Sequence, residues 1–138
     1  LGAALPHALT GKETIMNDIS WPRRLAAAIT HASWIVGGLG AVWLPLLFWL
    51  LFRKDDFVRP HAKQALSWQV LSLIFVGAVG VGVVLAGLAD QDMQTAAIIL
   101  CAAIVPTAIF PFIGTVKALA KEPYGYPLLK IFVESGKE

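Results

Sequence analysis

From Leu25 to Phe52 no Asp, Glu, Lys or Arg interrupts the chain. These 28 or so residues would make a straight helix of roughly 42 Å, against a hydrocarbon core of about 30 Å. The run is too long for one upright span and too short for two full ones. Pro45 lies inside it and removes the backbone bond to the Ala41 carbonyl, so a kink is expected there. The main reading is one tilted, kinked span. The alternative is a helical hairpin, or a four-span arrangement, broken near Gly37-Gly38-Leu39-Gly40. A second charge-free run covers 65–88, with Gln69 and Ser72 as its polar residues near the entry. Its many valines also suit a strand, but its length and lack of alternation decide for helix. A third run, 93–118, carries Pro106 and Pro111, which free the carbonyls of Ala102 and Thr107; Thr107 is a candidate to satisfy one of them.

The expected fold is therefore all-α: an integral membrane helical bundle of three transmembrane helices, about 25–52, 65–88 and 93–118. Residues 1–24 form an interfacial arm, and 25–138 a single membrane domain. Residues 1–20 lack a basic stretch followed by an apolar core and are not read as a signal peptide. Ser20-Trp21-Pro22-Arg23-Arg24 reads as a helix start, with Pro22 in the first turn. Asp92 is a candidate cap for the third span. Pro123-Tyr124-Gly125-Tyr126-Pro127 reads as a rigid turn with two rings suited to the membrane interface. The tail, 123–138, is a short amphipathic surface segment.

The loop 53–64 is the densest polar cluster. With three spans it shares a side with the tail, giving eight bases there against three (Lys12, Arg23, Arg24) on the other side. The positive-inside bias then places the loop and the C-terminus in the cytoplasm, with the protein in the bacterial inner membrane.

Composition sharpens this picture. The chain has 138 residues, 57% hydrophobic and only 14% charged, far below the roughly 25% charged of soluble domains. A net charge of +2 gives no case for nucleic acid. Cys101 is the single cysteine and behaves as a small hydrophobe. No HExxH, CxxC, GxSxG or P-loop pattern occurs, so no enzyme is expected. No metal site is expected either, because His7, His31 and His61 have no ligand spacing. His31 lies inside an apolar run and is a candidate proton-relay group, or an axial ligand to haem or chlorin. The simpler reading is a neutral ring bonded to a carbonyl or hydroxyl, with no cofactor. For His61 the simpler reading is a helix-entry side chain paired with Asp55 or Asp56.

Contacts to partners or anionic headgroups are expected from Arg53, Lys54, Arg59, His61, Lys63, Gln64, Trp68 and Gln69. On the second helix His61, Ala65 and Trp68 share one face. Two small-residue stripes, Ser33/Gly37/Ala41 and Ala78/Gly82/Ala86, suit close helix packing.

Several pieces together resemble a known family: His31-Ala32-Ser33-Trp34, Leu44-Pro45-Leu46, Phe48-Trp49-Leu50, the phrase His61-Ala62-Lys63-Gln64-Ala65-Leu66 with Trp68-Gln69, and Tyr124-Gly125-Tyr126-Pro127-Leu128. The chain is similar over about 25–130 to small bacterial multi-span membrane proteins of unknown function. These are related to a chloroplast inner-envelope protein-import component of about twenty kilodaltons, with spans of membrane length. The resemblance implies an inner-membrane helical bundle. The function expected is a non-catalytic accessory or scaffold subunit of a larger membrane complex, its partners being lipids and other membrane subunits or itself. The alternatives are a small oligomeric translocation or transport protein, or a cofactor-binding subunit using His31.

Overall fold

The computed structural model describes residues 19–88, 93–127 and 129. The arm before residue 19, the acidic turn with Asp92, and most of the C-terminal surface segment lie outside these residues. Among the described residues the fold is all-helical: α1 Trp21–Ala32, a 3-10 turn Ser33–Val36, α2 Gly38–Leu51, α3 Val58–Leu88 and α4 Met93–Leu119.

Helix α1 starts where the sequence places it, with extended Ser20 before it and Pro22 in its first turn. One face buries Ala27, Thr30 and His31, while Trp21, Leu25 and Ile29, spaced by four, are exposed. The helix tightens into the 3-10 turn and stops at Gly37 (φ +70°) and Gly38 (φ +50°). Two successive left-handed residues are costly for anything but glycine, so this pair ends one helix and turns the chain into the next. Helix α2, with Pro45 buried inside it, then runs for 14 residues.

The expected first span is therefore two short helices, and among the described residues two helices, α3 and α4, are long and apolar enough to cross a membrane, where three were expected. At 1.5 Å per residue α1 and α2 are about 18 and 21 Å long, short of a hydrocarbon core of about 30 Å. The break also dismantles the Ser33/Gly37/Ala41 stripe, which required one continuous helix.

Where the segment goes is fixed at its two ends. Arg23, in the first turn of α1, grips Asp55, just beyond α2, through Nε–Oδ2 at 2.7 Å and Nη2–Oδ1 at 2.8 Å. The chain thus goes in along α1 and comes back along α2 to the same place. Arg24 donates to the Leu119 carbonyl at the end of α4, so that end lies there too. Arg23 and Arg24 sit beside the loop, where the three-span reading had put them on the opposite side.

Asp55 also organises the entry to α3. Its Oδ1 accepts from the amides of Phe57 (2.9 Å) and Val58 (2.8 Å), two donors that a helix start leaves without partners. Burial pushes the Asp55 carboxyl up, but the Arg23 hydrogen bond, these two amides and the Arg23 charge together outweigh it. The group is held below its ordinary value.

Helix α1 packs on α3 and α4, α2 on α3, and α3 on α4, while α1 and α2 touch each other little. The shared core is built of small residues: Ala27, Ala28 and Ala118, with Phe57 and Leu119 against them. The large apolar side chains face outward, among them Leu39, Trp43, Ile74, Phe75, Val84, Ile98 and Phe112. Alanines inside and large hydrophobes outside reverse the soluble pattern and fit lipid as the surrounding solvent. Pro106 and Pro111 both lie within α4, which continues past them. Thr107 Oγ1 donates to the Ile104 carbonyl at 2.6 Å, not to the freed carbonyl of Ala102.

Candidate functional site

Three segments far apart in sequence meet near the polar end of the bundle. The Asp55 cap sets the rotation of α3, which turns His61, Ala62, Ala65, Trp68 and Gln69 inward, all of them buried. Helix α1 brings Thr30 and His31. The turn after α4 folds back and inserts Tyr126, which is fully buried.

His31 is the centre. Its Nδ1 lies 2.8 Å from the Tyr126 hydroxyl and its Nε2 lies 2.9 Å from His61 Nδ1. Two proton arrangements satisfy this chain. In one, Tyr126 donates to His31 and His31 donates to His61. In the other, His61 donates to His31 and His31 donates to the Tyr126 oxygen. In either arrangement the three groups satisfy one another inside the bundle. Burial, and then the neighbouring Tyr124, push the Tyr126 phenol well above its ordinary value and keep it protonated.

Aromatic rings wall the row in. Trp68 stacks on Tyr126 with centroids 4.9 Å apart and planes 2° from parallel. Phe57 lies over His61 at 4.8 Å, and Tyr124 meets His31 edge-on at 5.9 Å. Gly114 of α4 supplies the space. A Cβ there would sit 2.8 Å from His31 Nδ1, 2.9 Å from its Cγ and 3.0 Å from Tyr124 Cδ1.

A second polar layer lies two turns further along α3. Gln69 Nε2 donates to Ser33 Oγ (2.8 Å) and lies 3.4 Å from the Thr30 carbonyl. Ser33 Oγ in turn donates to Thr30 O at 2.7 Å. This layer holds the 3-10 turn against α3.

The predicted site residues divide into two groups. Arg53, Lys54, Arg59 and Lys63 are exposed, as a contact surface requires. His61, Trp68 and Gln69 are buried, so their contacts are within the chain. His61 pairs with His31, while Asp55 is taken by Arg23. Gln64 is half-buried on the wall of a pocket. The face His61/Ala65/Trp68 forms as its spacing predicts. Ala78 and Gly82 are exposed on α3, and a Cβ at Gly82 would meet nothing within 4 Å. Gly82 and Ala86 instead border an open gap toward Ala96 and Ile99 of α4. Among the described residues no group of three or more His, Cys, Asp or Glu is placed to hold a metal ion.

Sequence reasoning missed the burial of Tyr126, which it read as an interfacial ring, and the link from Arg23 to Asp55. A signal for the first was present. The pieces around His31, His61 and Tyr126 each carried the family resemblance, and they are the three that meet.

No curated protein and no solved structure matches the chain. The family model described as the magnetosome magnetite crystal formation protein family matches residues 22–133. Nothing in these comparisons supports a relationship to the chloroplast import component. The matched stretch runs from the first turn of α1 past Tyr126 and takes in every residue of the buried cluster, so the chain belongs to the magnetosome magnetite crystal formation protein family.

Proposed function

We propose that this protein is a non-catalytic accessory subunit of a membrane assembly involved in forming magnetite crystals, and that it works by binding rather than turnover. The observation that carries this reading is the family match over residues 22–133. The geometry supports it. His31, His61 and Tyr126 satisfy one another inside the bundle, where they tie the α1–α2 hairpin and the tail turn to α3. What the same end offers outward is four exposed cations, Arg53, Lys54, Arg59 and Lys63, above an apolar girdle. That combination suits another membrane subunit or a second copy bound side by side. The concentration of bases at this end favours a cytoplasmic orientation in the inner membrane or a membrane derived from it.

The test replaces the native copy in a magnetite-forming bacterium with a version carrying alanine at Arg53, Lys54, Arg59 and Lys63. The variant is expected in the membrane fraction at normal level, with a changed crystal-size distribution by electron microscopy and loss of a partner that co-purifies in mild detergent. Unchanged crystals in cells lacking the protein altogether would sink the proposal.

One observation favours a second reading, a small transport protein. Two half-length helices meet at a buried polar layer, Thr30, Ser33 and Gln69, an arrangement similar to the broken helices of transporters. Flux in proteoliposomes equal to that of empty vesicles would remove it.

A further inference from the structure

The bundle is thick near the loop and thin away from it. In its first turns α3 buries Val58, His61, Ala62, Ala65, Trp68 and Gln69. Past Gln69, none of the residues 70–87 is buried. The change falls where the hairpin stops, because its turn is held to α3 by Ser33 and Gln69. Helix α1 lies on α3 and α4, and α2 lies on α3, with little contact between α1 and α2, so the two short helices widen the bundle. Among the described residues, four helices fill the section at 58–69, and α3 and α4 alone continue beyond it.

The thick section has the depth of one leaflet. Half of a hydrocarbon core of about 30 Å, with one headgroup layer of about 5–7 Å, makes about 20–22 Å. Helices of 12 and 14 residues measure about 18 and 21 Å at 1.5 Å per residue, and residues 58–69 of α3 about 18 Å. Arg23 and Asp55 hold the two ends of the hairpin together at the polar end of the bundle. The tip then lies near the middle of the bilayer, and its side chains suit that depth. Ile35, Val36 and Leu39 are exposed, while Thr30, Ser33 and Gln69 turn their polar groups on one another inside. With side chains a helix is about 10 Å across, so the pair adds about 160 Å² to the loop-side leaflet and nothing to the other.

We propose that the α1–α2 hairpin is a one-leaflet wedge, covered by the acyl chains of the loop-side leaflet, that concentrates the protein on membrane convex toward the loop. Area added to one leaflet strains a flat bilayer. A sheet curved with the loop side outermost already spreads that leaflet and accepts the wedge at lower cost. A protein is sorted between two surfaces only by such a difference in free energy. The inference rests on the shape of the bundle and not on the accessory role.

The test uses the full chain with Cys101→Ser and Lys54→Cys, labelled with a fluorophore at position 54, which is exposed in the loop. It is reconstituted into giant vesicles of phosphatidylcholine and phosphatidylglycerol, and narrow tubes are pulled from them. An impermeant quencher added outside separates copies with the loop outward from copies with the loop inward. Loop-outward copies should be about two-fold denser on the tube than on the parent vesicle, a ratio equal to about 0.4 kcal/mol at 1.4 kcal/mol per ten-fold. Loop-inward copies should be depleted there. Equal density on tube and vesicle, or enrichment of both orientations alike, overturns the proposal. Depth is read separately from a nitroxide on Ile35→Cys, also in the Cys101→Ser background. High access to oxygen and low access to a water-soluble nickel chelate are expected at the bilayer middle. Access to the chelate at the far headgroups would make the hairpin a full span and overturn the wedge. Spin–spin broadening between labels would put a second copy in place of acyl chains and overturn it too.

Discussion

Replacing Gly114 by alanine should destabilise the fold, although alanine is the better helix former. The added methyl would sit 2.8 and 2.9 Å from two atoms of the His31 ring and 3.0 Å from Tyr124. That ring cannot swing away cheaply, because Tyr126 and His61 hold its two nitrogens at 2.8 and 2.9 Å. Overpacking a closed site costs about 1–3 kcal/mol, and the pinned ring puts this case near the upper end. Against it stands a gain of about 0.5–1 kcal/mol for alanine over glycine inside a helix. The expected net loss is about 2 kcal/mol. Gly80 of α3 provides the control, since a Cβ there meets nothing within 4 Å. Gly80→Ala should be neutral or stabilising by up to about 0.5 kcal/mol. Both variants can be compared by reversible unfolding in mixed micelles, with tryptophan emission as the probe because Trp68 stacks on Tyr126. Gly114→Ala and Gly80→Ala of equal stability would refute the packing argument and with it the close fit of His31 against α4.

Three further outcomes are expected. In a Cys101→Ser background, single cysteines at Ser20 and Lys54 should react with an impermeant maleimide from the same face of the membrane; labelling from opposite faces would restore the single-span reading. Tyr126→Phe removes the hydroxyl from His31 and leaves a buried ring nitrogen unpaired, a loss of about 1–3 kcal/mol in the same unfolding assay; wild-type stability would mean that the hydroxyl does not bond there. The carboxyl of Asp55 is held below its ordinary value, so its contribution is full above an unfolded value of about 3.9 and fades as pH falls through the lower folded value. Hydrogen exchange at the Phe57 and Val58 amides should therefore quicken on acidification in excess of the intrinsic pH dependence, and should show no such excess in Asp55→Leu.

Much of the frame is legible in the sequence. Helices α3 and α4 follow from length and lack of charge alone. The helix start at Ser20-Trp21-Pro22 and the buried face His61/Ala65/Trp68 follow from local rules of capping and spacing. Tyr126 was misread because an amphipathic ring after a charged helix end fits the membrane interface equally well. Only the fold-back of 123–127 onto Trp68 and His31 decides between surface and core, and that depends on Gly114 leaving room on another helix. Pairings such as Arg23 with Asp55, 32 residues apart, have no local signature at all.

The first apolar run shows why charge is a poor guide to where a helix breaks in lipid. A soluble turn is polar because water satisfies its backbone, whereas a turn among apolar helices must be satisfied by the protein itself. Here Gly37 N–H bonds Trp34 O at 3.0 Å, the Thr30 carbonyl takes Ser33 Oγ, and Ser33 takes Gln69 from α3. Three uncharged residues, two of them short, suffice, so the break leaves no charge in the 25–52 window. Two glycines supply the left-handed backbone and Gln69 supplies the anchor. The glycine cluster marks a candidate break; the glutamine one helix away is what lets the break be buried. The residue that makes the hairpin tenable thus lies outside the hairpin, which is why the run read by itself favoured a single span.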